Sequence, residues 1–139
     1  MKINKLAKSN SLVGFKEGFM PEKNKRIVEM ILKNSSDKNP DFYSVYLADD
    51  VRWNIVGMPV INGKINFLKA MKTLELVNFS LVNVKNIIAD GDYVVVQSSG
   101  KIIEISGESD NPAYCDIYRF KNGKIKELTT YVVDTTLTE

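Results

Sequence analysis

From Phe79 onward, apolar residues recur at alternate positions, and the runs are separated by turn residues. That spacing belongs to β-strands, whose side chains alternate between two faces. Ser80 to Ala89 reads as one strand and Asp90-Gly91-Asp92 as a hairpin turn. Tyr93 to Ser106 is a long strand in which Gly100 predicts a bulge or bend. Asp110-Asn111-Pro112 marks another turn. Ala113 to Phe120 and Lys124 to Val133 are the last two strands, joined by Asn122-Gly123, a pair suited to a two-residue hairpin turn. Strands linked in this way confine the second half of the chain to an antiparallel meander.

The first half has the other period. Ile27, Val28, Ile31 and Leu32 form a helical stripe within Asn24 to Lys33, and Asn34 to Pro40 breaks it. Pro40 suits the first turn of a second short helix carrying Phe42, Tyr43, Tyr46 and Leu47. Asp49-Asp50 ends that helix and turns into a strand, Val51 to Val56, in which Val51, Trp53 and Ile55 alternate with Arg52 and Asn54. Lys64 to Leu74 is a third helix with Ile65, Leu68 and Met71 on one face and Phe67 beside it. Helices followed by strands give an α+β fold of two layers, with helices on one face of a bent sheet. The last two strands are apolar on both faces, which predicts burial on both sides, with helices over one and a second copy of the chain over the other.

A chain of 139 residues makes one domain, with residues 1–22 a partly ordered leader and 23–139 the folded unit. Nineteen basic against seventeen acidic side chains leave a net charge of +2, too small for a nucleic-acid partner. No apolar window is long enough for a membrane span. The single cysteine, Cys115, excludes an internal disulfide and suits a reducing, cytoplasmic setting. There is no histidine, so Ser-His-Asp and Cys-His catalysis and His-ligated metals are excluded. Asp90-Gly91-Asp92 and Asp110-Asn111 lack the spaced oxygens of a calcium loop and read as turns, so no metal or cofactor is expected.

One residue breaks the strand pattern. Asp116 lies inside an apolar, aromatic strand, on the same face as Tyr114 and Tyr118. Aspartate is a poor strand former, and its desolvation is costly. An apolar setting raises a carboxyl pKa, and a neutral carboxylic acid can donate a hydrogen bond or act as a general acid. A structural role is equally open, with Asp116 bonding a tyrosine hydroxyl or a backbone amide to organise the core. Cys115 points to the opposite face and reads as an inert thiol. Tyr131, opposite in phase to Val132, reads as an interface or helix-packing residue.

Three segments carry a family resemblance: NKRIVEMIL, YLADDVRWNIVG and YCDIYRFKNGKIKELTTYVVDTTL. Over roughly Lys23 to Leu137, judged by element order, the chain resembles the nuclear transport factor 2-like superfamily, in its SnoaL-like polyketide cyclase and ketosteroid isomerase-related branch. The resemblance implies a cone-shaped, cystatin-like fold, a curved antiparallel sheet wrapped around three N-terminal helices, with a pocket between them. It implies a hydrophobic small-molecule ligand, while the homodimer through the sheet is expected from the two-sided apolar pattern of the last strands. In the pocket Asp116 stands as the acid or hydrogen-bond donor, and Trp53, Ile55, Tyr114, Tyr118, Thr130 and Val132 as substrate-binding walls. For Asp134, which closes the last strand, a place at the pocket mouth and a strand-end cap are both open.

Matched residue by residue, the isomerases' general-base Asp falls on Ile55, and their first-helix Tyr falls near Met30 and Ile31, where no Tyr stands. Steroid isomerisation by the usual mechanism is therefore not expected. Two functions follow from the resemblance: a cofactor-independent isomerase, cyclase or related lyase acting on a hydrophobic carbonyl compound, or a non-catalytic ligand-binding or dimerisation module of the same fold.

Overall fold

The computed structural model describes residues 12–34, 40–76, 79–103 and 109–134. In chain order the elements are α1 (Leu12–Asn34), α2 (Pro40–Ser44), β1 (Leu47–Ile55), β2 (Ile61–Asn62), α3 (Lys64–Leu76), β3 (Phe79–Asp90), β4 (Tyr93–Ile103), β5 (Ser109–Asp110), β6 (Ala113–Lys121) and β7 (Lys124–Val133). The strands form one seven-stranded sheet in the order β2-β1-β7-β6-β4-β3, with β5 beside the far end of β4. The α+β cone expected from the sequence is the fold observed.

The helices cover one face of the sheet, here called inner. Trp53, Leu128, Tyr118, Phe120, Val94 and Val96 project from it and pack with Ile27, Val28 and Ile31 of α1 and Phe67 of α3. Phe67 also meets Trp53 ring to ring, with centroids 4.8 Å apart. No helix of the described residues is long and apolar enough to cross a membrane.

Several elements depart from the sequence expectation. The sheet is mixed, because β1 runs parallel to β7. A parallel pair has no connecting turn to announce it, since its strands are distant in sequence. The second helix stops at Ser44, and Leu47 already belongs to β1. There the backbone is held from outside, by Ile125 N–H donating to the Tyr46 carbonyl at 2.7 Å. Asp49 and Asp50 lie within β1 rather than in a turn, in the stretch where its register against β7 jumps between Leu47 and Arg52. Asp50 is bound by Lys126 and Asp49 by Lys64.

Ile65 is 71% exposed, and Phe67 takes the core position assigned to it. The first helix begins at Leu12, not Asn24, and carries Pro21 inside it. The side chains of Leu12, Val13 and Phe15 lie outside the described set, as do residues 1–11. The bulges fall on β3, at 79–81 and 84–86, and at Arg119–Phe120 against β7, instead of at Gly100. Each adds a residue to one strand and bends that strand. Ser109–Asp110 pairs with β4 as β5, ahead of the expected turn.

Both short hairpins form as read. Asn122 and Gly123 adopt φ of 54° and 77° between the Lys121–Lys124 pair, the left-handed pair of a type I′ turn. The expected burial of β6 and β7 on both sides is met by helices on one side only. On the outer face Tyr131 and Val133 remain 45% and 56% exposed. Arg119 and Arg52 both pair there with Glu127, at 2.9 and 3.8 Å. Tyr131 therefore does not pack on a helix.

Candidate functional site

Strand register brings the expected residues into two inward-facing rows. Trp53, Leu128, Tyr118 and Val94 form one, and Ile55, Thr130, Asp116 and Val96 the next. Tyr114 and Val132 face each other one step further along, with Ser98 across from Tyr114. Asp116 thus lies on the helix-covered side with Tyr114 and Tyr118, as its phase in the sequence predicts.

The two rows are tied by a chain of hydrogen bonds. The Trp53 indole Nε1–H donates to Thr130 Oγ1 at 2.9 Å, and Thr130 Oγ1 donates to Asp116 Oδ1 at 2.6 Å. A hydroxyl has one proton to give. Because Trp53 can only donate, Thr130 accepts from it and directs its own proton to Asp116. Oδ1 is therefore an acceptor in either charge state. When Asp116 is neutral its proton sits on Oδ2.

Burial is the main cause pushing the Asp116 carboxyl above the ordinary carboxylate range, and the Thr130 bond opposes it. The Tyr114 hydroxyl is pushed up to about 12, by burial first and then by the charge of Asp116. Tyr118 is raised too, mainly by burial, then by Asp116 and by Tyr43 of α2. Both tyrosines stay protonated and act as donors at neutral pH. The Asp116 residue is only partly buried, so the carboxyl is enclosed without being sealed.

The remaining expected residues divide. Thr130 is 7% exposed and spends its hydroxyl on Trp53 and Asp116, so it positions the carboxyl. Ile55 is half-buried beside it, and Val132 is exposed on the same face. Asp134 lies just past β7 and is exposed. Tyr43, Ser98 and Asn24 also bring polar groups to this interior, and sequence reasoning had not placed them in the site. Two of them carried a signal. Asn24 is in phase with the stripe of Ile27, Val28 and Ile31, and Ser98 continues the alternation of Val94 and Val96. Among the described residues no cluster of His, Cys, Asp or Glu could hold a metal ion.

A depression of about 370 Å³ lies elsewhere. Its walls are mainly outer-face side chains, including Ile88, Val95, Gln97, Cys115, Tyr131 and Val133. It is thus on the far side of the sheet from the Asp116 carboxyl.

The fold and this inner face can be set beside known proteins. The model of the SnoaL-like domain family matches residues 28–128. Among solved structures, an NTF2-like protein of unknown function from Cytophaga hutchinsonii is 26% identical, with a TM-score of 0.66 over 82% of this chain and 99% of that one. An LEH-like epoxide hydrolase from M. tuberculosis is 21% identical, with a TM-score of 0.70 over 81% and 84% of the two chains. A putative SnoaL-like polyketide cyclase from Jannaschia sp. CCS1 is 17% identical, with a TM-score of 0.73 over 81% and 87%. No curated protein matches the chain.

Two outcomes follow from the hydrogen-bond chain. Thr130→Val keeps the shape but leaves the buried Trp53 N–H without an acceptor. It should destabilise the domain by about 1–3 kcal/mol in urea unfolding, and it should raise the Asp116 pKa further, read by carboxyl NMR titration. The second concerns pH. A carboxyl whose folded pKa exceeds its unfolded value, 3.8 by reference, binds more protons in the folded state. Stability is then lost as pH rises from that value through the raised one. Asp116→Asn stays neutral and still accepts from Thr130. The mutant should therefore gain on the wild type across that window, by about 1.4 kcal/mol for each tenfold difference in proton affinity. Parallel stability curves for the two proteins would rule out a raised pKa.

Proposed function

Since the chain belongs to the SnoaL-like domain family, we propose that it binds a hydrophobic carbonyl compound on its inner face, with Asp116 as the hydrogen-bond donor to the carbonyl oxygen. The observation that supports this most is the direction of the bonds at Asp116. Thr130 occupies Oδ1, so the proton of the neutral acid is carried by Oδ2. Burial keeps that acid neutral to higher pH than an exposed aspartate. Tyr114, protonated and electrostatically coupled to Asp116, orients the ligand, and Ile55, Val96 and Val132 line its apolar body.

A catalytic reading draws on the same raised pKa. A neutral carboxyl against a carbonyl can protonate an enolate or assist ring closure, the chemistry of an isomerase or cyclase. Against it stands Ile55, in register with Thr130 where related isomerases carry their base. Binding with polarisation is therefore the primary function proposed, and turnover the second. No cofactor is invoked for either.

The proposal extends to a homodimer through the outer face. Ile88, Tyr131 and Val133 are exposed there around the depression. An apolar surface of this kind on a sheet suits a self-complementary, two-fold contact.

Both parts have direct measurements. Hydrophobic ketones and enones screened by thermal shift and calorimetry should include binders of the wild-type protein. Asp116→Asn, whose amide still donates, should bind them within about fivefold, and Asp116→Leu should lose at least tenfold, about one hydrogen bond to a charged or strongly polarised partner. Equal affinity of Asp116→Leu and wild type would remove Asp116 from the site. Exchange of the ketone α-hydrogens in deuterated water, present in wild type and absent in Asp116→Asn, would establish the catalytic reading. For the assembly, sedimentation at micromolar concentration should give a dimer that Tyr131→Lys converts to monomer, and a monomeric wild type would contradict it.

A further inference from the structure

Among the described residues three polar side chains are buried: Thr130, Ser98 at 4% exposure and Asn24 at 1%. Thr130 is occupied by Trp53 and Asp116. Asn24 is not accounted for, because neither its Oδ1 nor its Nδ2 has a hydrogen-bond partner. An enclosed amide with both groups unbonded is destabilising, and an apolar residue of similar shape would serve the core better.

Its position gives it a use. Ser98 is in register with Tyr114, one inward-facing step beyond the Val96–Asp116 pair, or about 7 Å along the strand. α1 packs on β3 and β4, and it also touches α2. From α2 the chain enters β1 at Leu47, opposite Ile125 and close to the Asn122-Gly123 turn. The end of α1 at Asn34 therefore lies towards that turn. Asn24, on the same helix face as Ile27, Val28 and Ile31, is displaced the other way, which is the direction in which Ser98 lies from Asp116.

Resting on the ligand-binding function proposed for Asp116, the geometry points to a second polar anchor made by Asn24 and Ser98, and so to a ligand that carries a hydroxyl at the end remote from its carbonyl. A carboxamide and a serine hydroxyl each offer a donor and an acceptor. A hydroxyl, itself donor and acceptor, satisfies both, whereas a bare carbonyl only accepts. A carboxylate is disfavoured, because it would enter an apolar interior that already holds Asp116. The ligand class is a neutral hydrophobic compound with oxygen functions at both ends and an apolar body lying along Val96 and Ile87.

A matched pair of probes tests this: acetylnaphthalene, and the same ketone with a hydroxyl at the opposite end of the ring system. By calorimetry the hydroxyl should tighten binding to the wild-type protein by at least about tenfold, the worth of one good hydrogen bond. In Asn24→Leu that gain should shrink to within about twofold, with affinity for the plain ketone unchanged. The melting temperature of the unbound variant should also rise by a few degrees, because a buried unbonded amide has been removed. Ser98→Ala, a one-atom deletion, should lose part of the same gain and serves if Asn24→Leu fails to fold. A plain ketone that binds with no gain from the hydroxyl, or a gain that survives both substitutions, overturns this anchor and leaves Asp116 in place. A lower melting temperature in Asn24→Leu with binding unchanged assigns the amide to structure and overturns it too. If neither ketone binds the wild type, the Asp116 site and the anchor fall together.

Discussion

Strand β1 leaves the helical half of the chain and pairs in parallel with β7, the last strand described. This pairing sets Trp53 opposite Leu128 and Ile55 opposite Thr130, and through β7 it sets both beside Asp116 on β6. Without it the indole N–H would have no hydroxyl to meet, and β7, which carries Thr130, would become the sheet edge beside Asp116 on β6. The irregular stretch between Leu47 and Arg52 lets β1 take this register while Leu47 stays paired at Ile125. The same stretch exposes Asp49 and Asp50 to Lys64 and Lys126. Such surface pairs are worth little individually, so the apolar rows on the inner face must carry most of the stabilisation.

The polar groups inside the cone follow one rule, that a buried donor needs an acceptor. Trp53 meets it through Thr130, and Thr130 through Asp116. The chain ends on a carboxyl with one oxygen committed to Thr130 and the proton of the neutral acid on the other. Hydrogen-bond direction, more than burial alone, gives Asp116 its distinct chemistry, because it decides which oxygen carries the proton. Asn24 lies outside this network, and that is why it stands out.

Much of the fold was legible beforehand. The alternation of Val94, Val96, Tyr118 and Leu128, the Asn122-Gly123 turn and the stripe from Ile27 to Ile31 are local patterns, and local patterns survive into structure when packing agrees with them. The departures have a common cause. Leu47 and Asp50 were read from their neighbours in sequence, but Leu47 pairs with Ile125 of β7 and the Asp50 side chain is bound by Lys126 of the same strand. Ile65 and Phe67 differ by two positions on one helix, and only the direction from which the sheet approaches decides which is buried. Gly100 pairs with Val82 without a register shift, while the bulges went to β3 and to the β6–β7 pair.

For the site, the sequence by itself determined that a carboxyl sits among apolar and aromatic side chains, with Tyr114 and Tyr118 on its face, because strand phase depends only on counting. It also determined that Ile55 cannot take a proton. Only the tertiary structure decided that Thr130 is the partner of Asp116 and Trp53 the partner of Thr130. It alone left Asn24 enclosed and unbonded. Those facts depend on which strands lie side by side and in what register, and the pairing of residues 77 positions apart is written in no local pattern.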